Sequence, residues 1–163
     1  MMKKILIFLS IALLVYIPQS LCCLDKNYFV YPVQYKRDII IRSDGWGDGF
    51  FSANRNGRRL HQGIDLLADI GTPVLAARSG KVVSAKQNNG MGKYVVIKHS
   101  DNFNSIYGHL SKIYVANGDF VRQGQIIGLV GKTGNANSRG IQPHLHFEIR
   151  RDGVPADPLG YLS

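Results

Sequence analysis

The stretch that decides the fold lies near the carboxyl end, where residues 144–150 have the sequence HLHFEIR. Apolar residues at positions 145, 147 and 149 alternate with polar ones, and a period of two is typical of a β-strand with one face on the core. The opposite face carries His144, His146 and Glu148. This stretch therefore predicts a half-buried strand that presents two histidines on its polar face.

Similar short patterns precede this strand. Runs of β-branched and apolar residues are separated by turn signals such as Asn-Asn-Gly at 88–90 and Asn-Gly-Asp at 117–119. The predicted strands are 73–77, 80–85, 94–99, 104–110 and 126–130. A further short strand is expected at 39–41, a surface loop at 43–57 and one helical turn at 110–114. These elements predict an all-β fold, a compact antiparallel β-sheet or sandwich.

The chain begins with a segment typical of an export signal. Lys3 and Lys4 precede an apolar run at 5–17, whose length is closer to the roughly 7–15 residues of a signal sequence than to the roughly 20 that span a bilayer. An uncleaved anchor is the alternative. We expect a signal peptide or anchor at 1–22, a lead-in segment and loop at 23–57, and the main domain at 58–163.

Export defines where we expect the protein to act. The predicted location is the periplasm, the cell envelope or the extracellular space, with membrane contact only through the N-terminal segment. The two cysteines, Cys22 and Cys23, lie at the edge of the signal, and lipidation of either stays open. The remainder of the chain has neither a disulfide framework nor a thiolate metal site. Any metal must therefore be bound by nitrogen and oxygen ligands.

The formal net charge of +9 bears on the class of partner. A basic exported protein is attracted to anionic cell-surface polymers such as teichoic acids or acidic glycans. Nucleic-acid binding is not predicted, because the basic residues are dispersed and no aromatic residues are interleaved with a basic groove.

Three residues form the predicted metal site, which is expected to hold one Zn²⁺ per chain: His61, Asp65 and His146. A catalytic zinc site uses three protein ligands and keeps a fourth position for water. His61 and Asp65 are separated by an even number of residues, so an extended or irregular segment around Gly63 places both on one side. A zinc ion lowers the pKa of bound water from about 15.7 to about 7, which favours hydrolysis.

Two more histidines, His109 and His144, are predicted to move protons. Ser105, Tyr107 and His109 alternate with Ile106, which predicts His109 on the polar face of its strand. One imidazole can take a proton from water, and the other can stabilise the oxyanion or protonate the leaving amine.

The other titratable candidates receive plainer roles. His99 ends a predicted strand with no partner motif nearby, so we expect it to be structural. Glu148 shares the face of the histidines, but we expect it to support a metal ligand or to lie at the surface rather than to bind the metal.

The segments HQGID at 61–65, YGHL at 107–110 and PHLHFE at 143–148 resemble the signature motifs of the lysostaphin/LytM-type zinc metallopeptidases, the M23 peptidases. The resemblance spans roughly residues 58–161. It implies an antiparallel β-fold with an open substrate groove, with zinc on His61, Asp65 and His146 and with His109 and His144 as the catalytic pair. It also implies that the substrates are peptidoglycan cross-links or stem peptides.

Two departures from the family pattern qualify this prediction. The loop at 135–143 is longer than the family's usual link, and it borders the predicted groove. The segments FFSANR at 50–55 and GIQ at 140–142 are similar to the vertebrate leukocyte chemotaxin branch, which signals rather than cleaves. That branch lacks the histidine corresponding to His109, which this chain has, so the resemblance favours an enzyme.

The predicted function is therefore a zinc-dependent endopeptidase that hydrolyses peptide bonds of peptidoglycan. The alternative is a non-catalytic, zinc-stabilised protein that binds a peptide or glycan in the same groove or signals through it. A third class, a basic exported adhesin whose zinc is incidental, also stays open.

Overall fold

The computed structural model describes residues 28–34, 38–55, 57 and 59–163. The predicted signal segment at 1–22 and both cysteines lie outside these residues. Within the described part of the chain, no helix is long and apolar enough to span a membrane. The strands are β1 (Ser43–Asp44), β2 (Gly47–Asp48), β3 (Asn54–Arg55), β4 (Arg59–Leu60), β5 (Ile64–Leu67), β6 (Pro73–Leu75), β7 (Gly80–Asn88), β8 (Gly92–Lys98), β9 (Phe103–Leu110), β10 (Lys112–Ile113), β11 (Phe120–Val121), β12 (Ile126–Leu129), β13 (His144–Arg151) and β14 (Val154–Ala156).

The larger sheet is antiparallel and has the strand order β11-β7-β8-β9-β13-β14, with β5 also paired to β13. Strand β13 is therefore internal, with β9 along one edge and β5 beside its first half. The register sets His146 opposite Gly108 on β9 and opposite Asp65 on β5. Residues 81 positions apart in the chain thus become direct neighbours at the centre of the sheet.

A smaller antiparallel sheet, β10-β12-β6, shares its core with the larger one. Fully buried side chains from both sheets belong to one cluster, among them Val74, Ile127, Ile97 and Phe147. Burial of each such side chain contributes about 1.5–3 kcal/mol. The predicted all-β antiparallel fold is confirmed, and the six main predicted strands are all present with small changes at their ends.

Three local predictions differ from the structure. The expected helical turn at 110–114 is wrong, because β10 pairs with β12 and continues the small sheet. The two short 3₁₀ helices lie elsewhere, at Gly134–Asn137 and Pro158–Gly160. The expected strand at 39–41 is reduced to a single bridge between Ile41 and Leu66. The expected surface loop at 43–57 holds two short hairpins, β1-β2 and β3-β4.

The face assigned to β9 from its alternation is also wrong. Tyr107 lies opposite Phe147, is fully buried, and accepts a hydrogen bond from the Ala77 amide at 2.8 Å. Tyr107 and Ser105 therefore face the core. By strict alternation His109 would follow them, but its φ of +62° breaks the strand geometry and turns its side chain towards the groove.

Candidate metal centre

Three ligand atoms converge where β5 and β13 meet, just after β4. The Nδ1 atom of His146 lies 2.8 Å from Oδ1 of Asp65 and 3.0 Å from Nε2 of His61. The third distance in this triangle of atoms, from His61 Nε2 to Asp65 Oδ1, is 3.1 Å. A tetrahedral zinc ion with ligands at about 2.0–2.1 Å requires ligand–ligand distances of about 3.3 Å. The triangle is thus close to the size that one such ion needs, and all three residues are buried.

The other polar atom of each histidine is already engaged, which leaves the converging atom as the one available for a metal. His61 donates from Nδ1 to the carbonyl oxygen of Phe50 at 2.8 Å. His146 donates from Nε2 to Oε1 of Glu148 at 3.0 Å. A partner behind a histidine fixes its tautomer and its ring orientation, and this arrangement is typical of metal-binding histidines.

Asp65 is oriented in the same way by two arginines. Its Oδ2 atom accepts from Arg42 Nη2 at 3.0 Å and from Arg55 Nη2 at 2.8 Å, so Oδ1 is left to face the histidines. Arg42 is itself buried and also pairs with Asp44. Neither arginine was predicted as part of the site. For Arg42 the sequence offers one signal, a charged residue directly after the apolar run at 39–41, and this signal does not identify Asp65 as its partner.

Between His61 and Asp65, position 63 has room only for glycine. A Cβ atom on Gly63 would collide with the carbonyl oxygen of Phe147 and would lie 2.8 Å from Cγ of Glu148. The segment from His61 to Asp65 can therefore pack directly against β13, which brings His61 within reach of His146.

The electrostatics of this cluster favour a bound cation. Burial opposes ionisation of Asp65, but hydrogen bonds from His146 and His61 hold the pKa of its carboxyl well below the usual value. Burial likewise lowers the pKa of His146, yet its bonds to Asp65 and Glu148 outweigh this and raise that pKa to about 9. The metal-free site thus stabilises a positive charge at the point where the three ligand atoms meet. Two imidazoles and a carboxylate form a common donor set for catalytic zinc, so these residues fit the metal.

The two remaining histidines of the predicted constellation lie beside this cluster. The His109 ring centroid is 5.0 Å from that of His144 and 5.8 Å from that of His146. His109 donates from Nδ1 to the carbonyl oxygen of Thr133 at 2.8 Å, and His144 donates from Nδ1 to that of Gln142 at 2.7 Å. In the neutral form of each ring, Nε2 then carries the free lone pair.

Burial sets the charge state of this pair. Burial, together with the nearby His146 and His144, lowers the pKa of His109 to about 3. Burial also lowers the pKa of His144, although Asp65 and the carbonyl of Gln142 oppose the shift. Both rings are therefore neutral at pH 7, and the Nε2 atom of each is unprotonated. The Nε2 atom of His144 lies 3.8 Å from Oδ1 of Asp65, so it is next to the group of three converging atoms without belonging to it.

The structure places the two other candidates as follows. Glu148 is buried and bonded to His146 and to Arg150, so the surface location considered for it is wrong and it supports His146 from behind. His99 lies away from the cluster, where its Nδ1 donates to the Ser79 carbonyl oxygen at 2.8 Å and its Nε2 is 2.7 Å from Oγ of Ser105.

All five residues of the predicted constellation line one groove of about 710 Å³. Its floor follows the polar face of β13 from His144 to Arg150. One end is bordered by Trp46 and Ile141 and the other by Gln62 and Arg150, whose side chains are joined by a 2.9 Å hydrogen bond. Among the described residues, four arginines and two carboxylates line the groove, so these groups give it a positive charge before any metal binds: Arg42, Arg55, Arg59, Arg150, Asp65 and Glu148.

Residues 59–158 match the model of Peptidase family M23. Among curated relatives, the "Lipoprotein NlpD/LppB homolog" of Pseudomonas aeruginosa is 44% identical over 115 residues, which cover 70% of this chain and 36% of the relative. The "Peptidoglycan DD-endopeptidase ShyA" of Vibrio cholerae is 39% identical over 145 residues, which cover 83% of this chain and 30% of the relative. The chain thus spans about a third of the length of these relatives.

Two solved structures are similar over most of the chain. A zinc-containing peptidase from Vibrio cholerae has a TM-score of 0.66 and 34% identity, and the match covers 82% of this chain and 40% of that one. The SpoIIQ-SpoIIIAH pore-forming complex contains a chain with a TM-score of 0.67 and 29% identity, and that match covers 83% of this chain and 91% of that one.

Proposed function

Because this chain belongs to peptidase family M23, we propose that it is a zinc-dependent endopeptidase that hydrolyses peptide bonds of peptidoglycan. The observation that carries the proposal is the convergence of His61, Asp65 and His146 at edges of 2.8–3.1 Å. Two neutral histidines with free Nε2 atoms stand beside this triangle in the same open groove. A site that served only to stabilise the fold would need neither the groove nor the second pair.

These contacts suggest a separate role for each group of residues. His61, Asp65 and His146 would hold the metal. A bound zinc ion supplies a Lewis acid that polarises a carbonyl group and lowers the pKa of water. Arg42, Arg55 and Glu148 keep the ligands oriented, and a hydrogen-bonded group of this kind typically contributes 10–100-fold in affinity or activity.

His109 and His144 transfer the proton from water to the leaving amine. The water oxygen attacks the carbonyl carbon of the substrate while an Nε2 atom of this pair accepts the proton that water loses. The protonated ring is then a donor, and it passes the proton to the amine nitrogen as the C–N bond breaks. Both rings are held by backbone carbonyls through Nδ1, so their Nε2 atoms are preorganised for this transfer.

The charge of the groove supports an anionic substrate. Four arginines face two carboxylates there, and a bound divalent cation would add to the positive charge. Stem peptides of peptidoglycan carry free carboxylates, as do other anionic cell-surface polymers, and a positive cleft raises the local concentration of such ligands. Peptidoglycan lies outside the cytoplasmic membrane, so the proposal includes an exported protein.

The direct test is digestion of purified peptidoglycan sacculi by the full chain with zinc present. We expect new amino and carboxyl termini on stem peptides, detected by mass spectrometry, and their loss after chelation. His109→Ala should lower turnover by at least about 100-fold while the bound zinc stays near one per chain. Unchanged sacculi with zinc-loaded protein would contradict the proposal, and loss of metal in the variant would contradict the role of His109.

A second candidate is a protein that binds peptidoglycan or a protein partner in this groove without cleavage. The similarity to a chain of the SpoIIQ-SpoIIIAH complex, of which the match covers 91%, favours it. Zinc-loaded protein that sediments with sacculi, yet releases no termini over many hours, would support this alternative.

A further inference from the structure

An exposed tryptophan lies at one end of the groove, and the proposed chemistry gives it no role. Trp46 lines the same groove as the histidines, yet 54% of its surface is exposed. Among the described residues, no aromatic ring or cationic group stacks on its indole. A large aromatic side chain that is left open inside a binding groove offers a face to a ligand.

Hydrogen bonds stabilise the hairpin that carries Trp46. The backbone amide of Trp46 donates to Oδ1 of Asp44 at 2.9 Å, and Ser43 Oγ donates to Asp48 across the hairpin at 2.6 Å. Asp44 also pairs with the buried Arg42, which in turn binds Asp65. The backbone of Trp46 is therefore held in place relative to the metal centre, which reduces the cost of ordering this part of the protein when a ligand binds.

The long loop before β13 forms the neighbouring wall. Gln142 donates its backbone amide to Oδ2 of Asp44 at 3.1 Å, which joins this loop to the hairpin. Gly140 has a φ of +89°, and a Cβ atom there would lie 3.2 Å from Nε1 of Trp46, so the loop passes along one edge of the indole. Asn135 and Ser138 also line the groove and bring an amide and a hydroxyl to the same wall.

We propose that Trp46 is a sugar-binding platform that stacks on a pyranose ring of the glycan strand while the attached peptide crosses the metal centre. An apolar side chain would gain most from an enclosed pocket, whereas this site is an open aromatic face with polar groups beside it. A pyranose has the matching surface, a C–H face bordered by hydroxyl and amide groups that need partners. The identity of the polymer rests on the proposed function.

The distance along the chain from this loop to the metal centre agrees with this placement. Ile141 follows Gly140, which passes the edge of the Trp46 indole, and it lies five positions before His146, at most about 18 Å of extended chain. An extended peptide of about five residues has the same reach, and stem peptides are of that length. A sugar on Trp46 and a peptide bond at the metal centre can therefore belong to one molecule.

Fluorescence tests the platform directly, because Trp46 is the only tryptophan in the chain. We titrate the full chain with the β-1,4-linked tetramer of N-acetylglucosamine, which contains no stem peptide, and expect a saturable change in emission. The control is the double variant Trp46→Phe with Phe120→Trp. It moves the fluorophore to a position that is 71% exposed and outside the groove lining, and it should give no saturable change.

Kinetics provide a second test. Trp46→Ala should raise KM about 3–10-fold for glycan-linked substrate and leave KM for a sugar-free stem peptide and the zinc content unchanged, whereas Phe120→Ala should change none of these. A response of Trp46 to stem peptide but not to the sugar tetramer would overturn the proposal, as would an equal response in the control variant.

These outcomes separate the platform from the proposed function. A saturable sugar response without any peptide cleavage would keep the platform and remove the endopeptidase. Cleavage without a sugar response would do the reverse.

Discussion

At the scale of single residues, the site depends on which atom of each side chain is already engaged. In each of the three proposed ligands, the atom that points away from the cluster is hydrogen-bonded, to Phe50, to Glu148 or to two arginines. The atom that points into the cluster is therefore the one left to bind a metal. The same logic sets the tautomers of His109 and His144 through the carbonyls of Thr133 and Gln142. The atoms left available at the site are thus set by hydrogen bonds of both kinds. Some partners are local, as Gln142 is for His144, and others are distant in the chain, as Thr133 is for His109.

Glu148→Gln tests this dependence on an outer partner. The amide cannot accept as strongly from His146, so the ring loses part of its basicity and its fixed orientation. We expect zinc affinity to fall about 10–100-fold, measured by competition with a chromophoric chelator. Asp101→Asn is the matched control, because that carboxylate is largely exposed and does not line the groove. Unaltered affinity in Glu148→Gln would contradict the role assigned to this carboxylate.

At the scale of elements, the sequence predicted what is local and missed what depends on pairing across the sheet. The alternation at 144–150 identified β13 and separated its apolar face from its polar face. It did not report that the polar face is buried as well, because His144, His146 and Glu148 line the groove. The same reasoning assigned β9 to the wrong face, since the positive φ at His109 leaves no trace in the alternation. The role of Arg42 was not predicted, because its partner Asp65 is 23 residues away and no local sequence pattern indicates that pair.

Arg42→Gln tests the link between the hairpin at 43–48 and β5. The substitution leaves Asp44 without its buried arginine and leaves Asp65 with Arg55 as the one remaining arginine of its pair. Loss of one member of a buried pair typically costs about 3–5 kcal/mol. We expect a fall of that size in the free energy of unfolding, measured by urea denaturation of the metal-free protein. Asp101→Asn is the control, because it removes the exposed member of the Arg78–Asp101 pair and leaves Arg78 in place, and such pairs contribute about 0–1 kcal/mol. Equal effects of the two variants would contradict a structural role for Arg42.

At the scale of the whole molecule, the proposed metal site would couple metal binding to folding through β5 and β13. His146 lies 81 residues from Asp65 and 85 residues from His61 in the chain. The three meet only in the folded sheet, so zinc would bind the native state far better than the unfolded one. A ligand present at about 1,000 times its dissociation constant stabilises the native state by about 4.1 kcal/mol. Chelation should therefore lower the melting temperature, and restored zinc should recover it. A melting temperature that is indifferent to chelation would contradict a zinc site formed by these residues.

The pH dependence of the chelated protein follows from His146. Its folded pKa of about 9 lies above the value of about 6.5 for an unfolded histidine, so the folded state binds more protons between these limits. The stability that this proton contributes is complete below pH 6.5 and is lost as the pH rises through 9. The lowered pKa values of His109 and Asp65 act below pH 6.5 and do not enter this window. We expect the free energy of unfolding with chelator present to fall from pH 6.5 to pH 9, measured by urea denaturation at both values. With saturating zinc the fall should disappear or reverse, because the ion replaces the proton and its affinity rises as the ligands deprotonate. A chelated protein that is equally stable at both pH values would show that Asp65 and Glu148 do not hold a proton on His146.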